Sequence, residues 1–102
     1  LHNDGINIAA DRGAPIQATA DGTVAYAGDG LPGFGNLILI KHADGWTSAY
    51  AHADTVAVKR GDTVRQGQSI GTVGDTGSVS EPQLHFELRQ HDRAMDPTKI
   101  VR

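Results

Sequence analysis

Polar side chains that suggest a metal site are crowded around one glycine at the start of the sequence. Imidazole and carboxylate groups are common zinc ligands, and a catalytic zinc site needs three protein ligands with a fourth position open for water. Carboxamides have no pKa near neutrality, so they cannot serve as general acids or bases. This stretch mixes both kinds of group, in His2, Asn3, Asp4 and Asn7, so it is either a zinc site or the remnant of one.

Composition narrows the classes of function. The 102 residues carry a formal charge of −3, and the Lys and Arg residues form none of the clusters that bind nucleic acid. The absence of cysteine excludes disulfides, thiolate zinc sites and a cysteine nucleophile. We expect residues 1–102 to form one domain, excised from a longer protein because patterned sequence begins at once.

Turn signals and β-branched runs predict an all-β fold. Thirteen glycines separate short apolar or alternating segments, and helical periodicity is nearly absent. Two "ADG" sequences, at 20–22 and 43–45, predict tight hairpins. The tail from residue 94 is predicted to hold at most one helical turn. We predict strands at 6–9, 15–18, 22–27, 36–42, 46–52, 55–59, 69–73 and 83–89.

Strand alternation assigns side chains to faces. In "QLHFELR", Leu84, Phe86 and Leu88 share one face, while His85 and the other polar residues share the opposite one. In "WTSAYAH", the same period groups Trp46, Ser48, Tyr50 and His52. His42 and His91 are predicted to be solvated. The glycine-rich loop at 28–35 is either a wide turn or the wall of a groove, and both interpretations stay open here.

Five segments, in this order, resemble the LytM (lysostaphin-type) zinc metallopeptidase family: "GINIAA", "GAPIQATADGTVAYAG", "GNLILIKHADGWTSAYAH", "VKRGDTVRQGQSIGTVGDTGS" and "PQLHFELR". They cover nearly the whole chain. The stretch "LPGFGNLILIKHADGWTSAYAHADT" looks most like the degenerate LytM domains of bacterial cell-division factors. The resemblance implies a small antiparallel β-sandwich or hybrid barrel with a long surface groove that grips peptidoglycan cross-links above a zinc ion.

The resemblance also implies a role for each polar position. Active members bind zinc through H-x-x-x-D and the second His of H-x-H, while the first His of that pair and a separate His handle protons and the oxyanion. Here the first motif falls on Asn3 and Asn7, the H-x-H pair on Gln83 and His85, and the separate histidine on His52. Only two of these five positions, His52 and His85, keep the residue of the active members. We therefore expect a degenerate site with no catalytic residue, no metal and no cofactor.

An enzymatic alternative uses shifted ligands. His2 and Asp4 flank Asn3, and together with His85 they could hold zinc in a peptidoglycan endopeptidase. A shift of one residue along a strand turns the side chain to the opposite face, so this arrangement requires a local bulge. The simpler interpretation makes His2 a solvated terminal residue and Asp4 a turn residue.

The regulatory hypothesis follows from the cell-division members. They imply a non-catalytic domain that activates periplasmic N-acetylmuramoyl-L-alanine amidases during daughter-cell separation, in the envelope of a Gram-negative bacterium. Peptidoglycan and an autoinhibitory segment of the full-length chain are further candidate partners, and nucleic acid is not. Apolar side chains near the groove are the candidate partner-binding residues: Leu31, Pro32, Phe34, Trp46 and Tyr50.

Overall fold

A computed structural model describes residues 5–90 and the backbone of residues 93–95. Within these residues the chain forms one antiparallel sheet of nine strands and a short 3₁₀ turn at Ala43–Gly45, so the all-β prediction is confirmed. The strands are Ile6–Ala9 (β1), Pro15–Gln17 (β2), Gly22–Gly28 (β3), Asn36–Lys41 (β4), Trp46–Val56 (β5), Thr63–Val64 (β6), Ser69–Val73 (β7), Gln83–Gln90 (β8) and Arg93–Met95 (β9).

Strand β5 is the centre of the architecture because it changes partners along its length. The main path of the sheet runs β1-β8-β5-β4-β3-β6, while β7 joins β2 to β5 and β9 adds to β8. The first half of β5 pairs with β8 from Trp46 to Ala51, and its second half pairs with β7 from Ala53 to Val56. His52 is the residue between the two pairings.

The core lies on one side of this sheet, where the β-branched and aromatic side chains of alternate positions meet. Ile38, Ile40 and Ile70 are fully buried, and the ring of Tyr50 packs on that of Phe86 at a centroid distance of 5.5 Å. A second, smaller cluster on the groove side contains Leu37, Ala49 and Ala51. No helix among the described residues is long and apolar enough to cross a membrane.

Several element boundaries differ from the sequence prediction. The segments at 46–52 and 55–59 are not two strands; the continuous β5 covers Trp46–Val56, and 57–59 is not strand. Strands β6 and β9 were not predicted, because two or three residues carry too little alternation to stand out. The helical turn expected in the tail is wrong for Ala94 and Met95, which belong to β9, and residues 96–102 lie outside the described part.

The two "ADG" sequences behave differently. At 43–45 the prediction is confirmed: β4 and β5 form a hairpin in which Asp44 and Gly45 take φ values of 62° and 78°. At 20–22 it is wrong, because β2 pairs with β7 and not with the following β3. There the Asp21 carboxylate accepts the Gln66 N–H at 2.7 Å and ties the connection to the turn before β7.

Candidate functional site

The register of β1 on β8 brings two of the predicted site residues together. Asn7 lies directly opposite His85, and Ala51 of β5 lies opposite His85 on its other side. Directly opposed residues of an antiparallel pair point to the same face, so the amide and the imidazole meet.

Both ring nitrogens of His85 are engaged within the protein. Its Nδ1 lies 2.6 Å from Asn7 Oδ1, and its Nε2 lies 2.7 Å from Glu87 Oε2. A carboxylate only accepts, so Nε2–H is the donor to Glu87. The Asn7 amide can face Nδ1 with its oxygen when the ring is charged and with its nitrogen when the ring is neutral, so this contact suits both protonation states.

Glu87 is the buried charge beneath the site. Its residue surface is 3% exposed, and besides His85 it binds Arg89, whose Nε and Nη2 lie 2.9 and 2.7 Å from Oε1. Burial raises the pKa of the Glu87 carboxyl, but the hydrogen bonds from His85 and Arg89 outweigh burial and leave the pKa below its ordinary value. Glu87 is therefore a carboxylate at neutral pH, and it accepts hydrogen bonds from both sides.

His52 departs from the strand alternation expected for "WTSAYAH". It has a φ of 68°, in the left-handed region that non-glycine residues rarely adopt. This left-handed conformation turns the His52 ring away from the face of Tyr50 and toward His85. The centroids of the two imidazole rings are 6.2 Å apart. Its Nδ1 lies 2.7 Å from the Thr76 carbonyl, so Nδ1 donates, and Nε2 is left as an acceptor in the neutral ring.

A cleft of about 320 Å³ lies above these residues. The glycine-rich loop forms one wall, which settles its interpretation as a groove wall, and the loop before β8 forms the other. Gln83, which the sequence resemblance predicts at the proton-handling position, lines the same cleft, and its Nε2 donates to the Glu81 carbonyl at 3.2 Å. The lining residues are Asn7, Pro32, Gly33, Phe34, His52, Ser78, Val79, Gln83 and His85.

An apolar shelf continues from this cleft across the sheet. It is a hollow of about 190 Å³ whose floor ends at Glu87 and Arg89. Phe34 borders both the cleft and the shelf, and its ring lies 6.4 Å from that of His85. Leu31 is 43% exposed at the rim. The aliphatic residues of the shelf are Leu31, Leu37, Leu39 and Ala49.

Two candidate partner-binding residues lie elsewhere. Tyr50 is 1% exposed in the core, where its hydroxyl contacts Thr19 and the Ser48 Oγ, so the prediction that it lines the groove is wrong. Trp46 begins β5, six residues and roughly 20 Å of strand away from His52, and it borders a separate hollow of about 520 Å³. The left-handed turn at His52 is the physical reason, because it separates His52 from the face of Trp46 and Tyr50.

Some of the site could not be recognised from residue types. Thr76 and Arg89 were not among the candidates, although each anchors a site side chain. His42, predicted to be solvated, binds the Asp21 carbonyl and Ser48 Oγ, both at 2.7 Å. His2, Asn3, Asp4 and His91 lie outside the described residues. Within the described part, no group of three or more His, Cys, Asp or Glu side chains is placed to hold a metal ion.

The model of peptidase family M23 matches residues 1–97. This chain belongs to peptidase family M23. The catalytic domain of the antimicrobial peptidase lysostaphin from Staphylococcus simulans superposes with a TM-score of 0.91 at 33% identity, covering 96% of this chain and 77% of that one. The LytM-type fold expected from the sequence is confirmed.

Two curated relatives of this M23 domain have names from cell division and murein metabolism. The cell division protein DipM of Caulobacter vibrioides is 54% identical over 97% of this chain. The murein hydrolase activator NlpD of Escherichia coli is 50% identical over the same share. The chain spans only 16% and 26% of the lengths of these two relatives.

Proposed function

We propose that this M23 domain is a non-catalytic regulator of peptidoglycan hydrolysis, which binds and activates N-acetylmuramoyl-L-alanine amidases during daughter-cell separation. The name of NlpD as a murein hydrolase activator and that of DipM as a cell division protein support this proposal. Murein lies outside the cytoplasmic membrane, so the domain would act in the periplasm of a Gram-negative cell envelope.

The observation that carries the proposal is the contact between Asn7 and His85. Zinc needs a free imidazole lone pair, but Nδ1 of His85 meets the Asn7 amide and Nε2 gives its proton to Glu87. The family's aspartate ligand is a neutral amide at Asn7, and its histidine ligand is an amide at Asn3. These residues do not fit a catalytic zinc ion, which requires three protein ligands of which His85 alone remains.

Proton transfer lacks its group as well. Gln83 occupies the position of the proton-handling histidine, and a carboxamide has no pKa in the working range of a general acid or base. Its amide is held by the Glu81 carbonyl and lines the cleft as a polar contact. We infer that the site recognises a ligand without transforming it.

The chemistry of the cleft favours an uncharged segment of a partner protein. Among the described residues that line it there is no Asp, Glu, Lys or Arg side chain, and the charges of Glu87 and Arg89 compensate each other beneath it. His52 Nε2 and the Gln83 amide can accept backbone N–H groups, which avoids the cost of burying an unpaired charge. Apolar anchors of the partner would lie against Pro32 and Phe34 and on the shelf beside Leu31.

Two measurements on the purified domain test the proposal. Calorimetric titration with zinc should detect no single defined site, and dye-labelled peptidoglycan should stay uncleaved by the domain alone. The same substrate should be released faster by a candidate amidase from the same cell when the domain is added. A site tighter than micromolar that disappears in His85→Ala would instead support the endopeptidase with shifted ligands.

Two results of the amidase experiment would refute the groove as the regulatory surface. If no amidase of the cell is stimulated, or if stimulation survives every substitution in the cleft and fails when the Trp46 face is altered, the groove is not the regulatory surface. Circular dichroism of each variant separates lost binding from lost folding.

A further inference from the structure

The two walls of the cleft are bonded to each other directly. We define the first wall loop as residues 33–36 and the second wall loop as residues 76–78. The Ser78 N–H donates to the Gly33 carbonyl at 3.0 Å, and the Asn36 N–H donates to Thr76 Oγ1 at 3.1 Å. Thr76 Oγ1 in turn donates to the Ala53 carbonyl at 2.8 Å, next to the point where β5 changes partners. Each wall is thus fixed to the other and to β5.

His52 binds both wall loops at once. Its backbone N–H donates to the Phe34 carbonyl at 2.9 Å, and its Nδ1–H donates to the Thr76 carbonyl at 2.7 Å. The residue is 6% exposed. A left-handed backbone costs a non-glycine residue of order 1–3 kcal/mol and persists only where surrounding contacts over-determine it. Here the contacts that hold it are the two bonds to the walls.

The loops are also packed too closely for independent movement. Gly77 has a φ of 84°, and a Cβ placed on it would lie 2.5 Å from the Gly35 nitrogen and 2.7 Å from the Gly33 carbonyl oxygen. Gly35, with a φ of 63°, is in similarly close contact with Thr76. Backbone lies against backbone here, so the two loops form a single layer.

We propose that His52 is a positioning residue that clamps the two wall loops into one rigid unit, so that the cleft and its Phe34 anchor are formed before any partner arrives. The imidazole at this position then has a task that requires neither zinc nor substrate. The structural part of the proposal stands on the free domain, and its consequence for a partner rests on the function proposed above.

The experiment on the free domain is backbone hydrogen exchange followed by NMR, read at the Asn36 and Ser78 amides that join the walls. Thr76→Val keeps the shape of the side chain and removes the acceptor of the Asn36 N–H, so we expect exchange at Asn36 to rise about 10-fold or more. Thr76→Ser should restore protection. Thr55→Val is the matched control, because Thr55 of β5 pairs with Thr72 Oγ1 of the neighbouring β7, away from the cleft.

A substitution of His52 separates the clamp from backbone strain. Glycine adopts the left-handed conformation freely, so His52→Gly relieves strain but removes the bond to Thr76. We expect this variant to raise the exchange rate at both Asn36 and Ser78. The rise at these two amides should exceed the rise at other slowly exchanging amides, which reports the general loss of stability. His42→Asn is the matched control for loss of a bonded histidine, and it should leave both wall amides protected.

A partner assay then shows what the clamp does. If the walls open in a fraction of molecules, the apparent dissociation constant rises by the inverse of the competent fraction, while the bound complex is unchanged. In amidase stimulation, Thr76→Val, which removes a bond between the walls at a residue outside the cleft lining, should raise the half-maximal concentration of the domain about 10-fold and preserve the maximum.

Unprotected wall amides in the wild-type domain, or wall exchange that is unaffected by His52→Gly and Thr76→Val, would overturn the clamp. Protected walls that loosen as expected, in a domain that stimulates no amidase, would instead support the clamp and reject the proposed function.

Discussion

Replacing the buried carboxylate with an amide, Glu87→Gln, tests the network beneath the cleft. The two oxygens of Glu87 accept three hydrogen bonds, from His85 Nε2 and from Nε and Nη2 of Arg89. A hydrogen bond to a charged group contributes about 1.5–3 kcal/mol and a neutral one about 0.5–1.5 kcal/mol. Glutamine keeps the shape, but all three bonds lose the negative charge.

We expect the variant to lose about 2 kcal/mol of unfolding free energy at pH 7. This is less than three times the difference between a charged and a neutral hydrogen bond, for two reasons. A neutral His85 can accept from the glutamine NH₂ while its Nδ1–H donates to Asn7, so one bond is rearranged and not lost. The Arg89 side chain is 35% exposed and can turn to water. Asp75→Asn, which breaks the exposed pair with Arg12, is the control and should have a much smaller effect.

The loss should depend on pH in one direction. Because the folded pKa of Glu87 is lowered, its contribution is fully present above the unfolded carboxyl pKa of about 4.3 and disappears as pH falls through the folded pKa. Urea unfolding followed by the fluorescence of Trp46, from pH 7 to pH 3, measures the difference between wild type and variant. A difference below 0.5 kcal/mol at pH 7, or one that grows toward acid pH, would refute the network as described.

Three further outcomes are expected. Asn3→His combined with Asn7→Asp should restore some zinc affinity by calorimetry, with little peptidoglycan cleavage until Gln83→His is added; no gain of affinity would mean that the backbone no longer suits the metal. Phe34→Ala should weaken amidase stimulation about 10-fold, or about 1.4 kcal/mol, with an unchanged circular dichroism spectrum, whereas wild-type stimulation would remove Phe34 as an anchor. Tyr50→Phe should cost about 1–3 kcal/mol in urea unfolding and leave stimulation intact, because its hydroxyl serves the core.

The period-two alternation of strands predicted the two faces of β8 correctly, because β8 follows it strictly. The alternation of "QLHFELR" correctly puts Phe86 and Leu88 in the core and leaves His85 and Glu87 on the groove face. The same rule fails on β5, since the φ of 68° at His52 turns that residue's own side chain toward His85 on the groove face. The residues "YAH" do not predict the left-handed backbone of His52, because histidine has no preference for that region comparable to that of glycine.

The candidate site also contains residues that the sequence predicted and groups that it did not. The family motifs identify Asn7, Gln83 and His85 by position in the chain, and the structure brings all three to one cleft. The groups that orient the site side chains could not be predicted from the sequence. Thr76 acts through its backbone carbonyl as well as its hydroxyl, and every residue has a backbone carbonyl. Long-range contacts through backbone atoms leave no signature in residue types.

The two histidines that remain at the family's positions are both bonded to the protein itself. His85 holds the buried Glu87, and His52 joins Thr76 and Phe34. Removing either would leave a charge or a carbonyl without its partner, which costs about 1–3 kcal/mol whether or not a metal is bound. The positions that carry amides can lose their acid–base chemistry without this penalty, because an amide at Asn7 still satisfies His85. The metal-free groove that we propose would therefore keep these hydrogen bonds and its shape, and shape is what the proposed binding role requires.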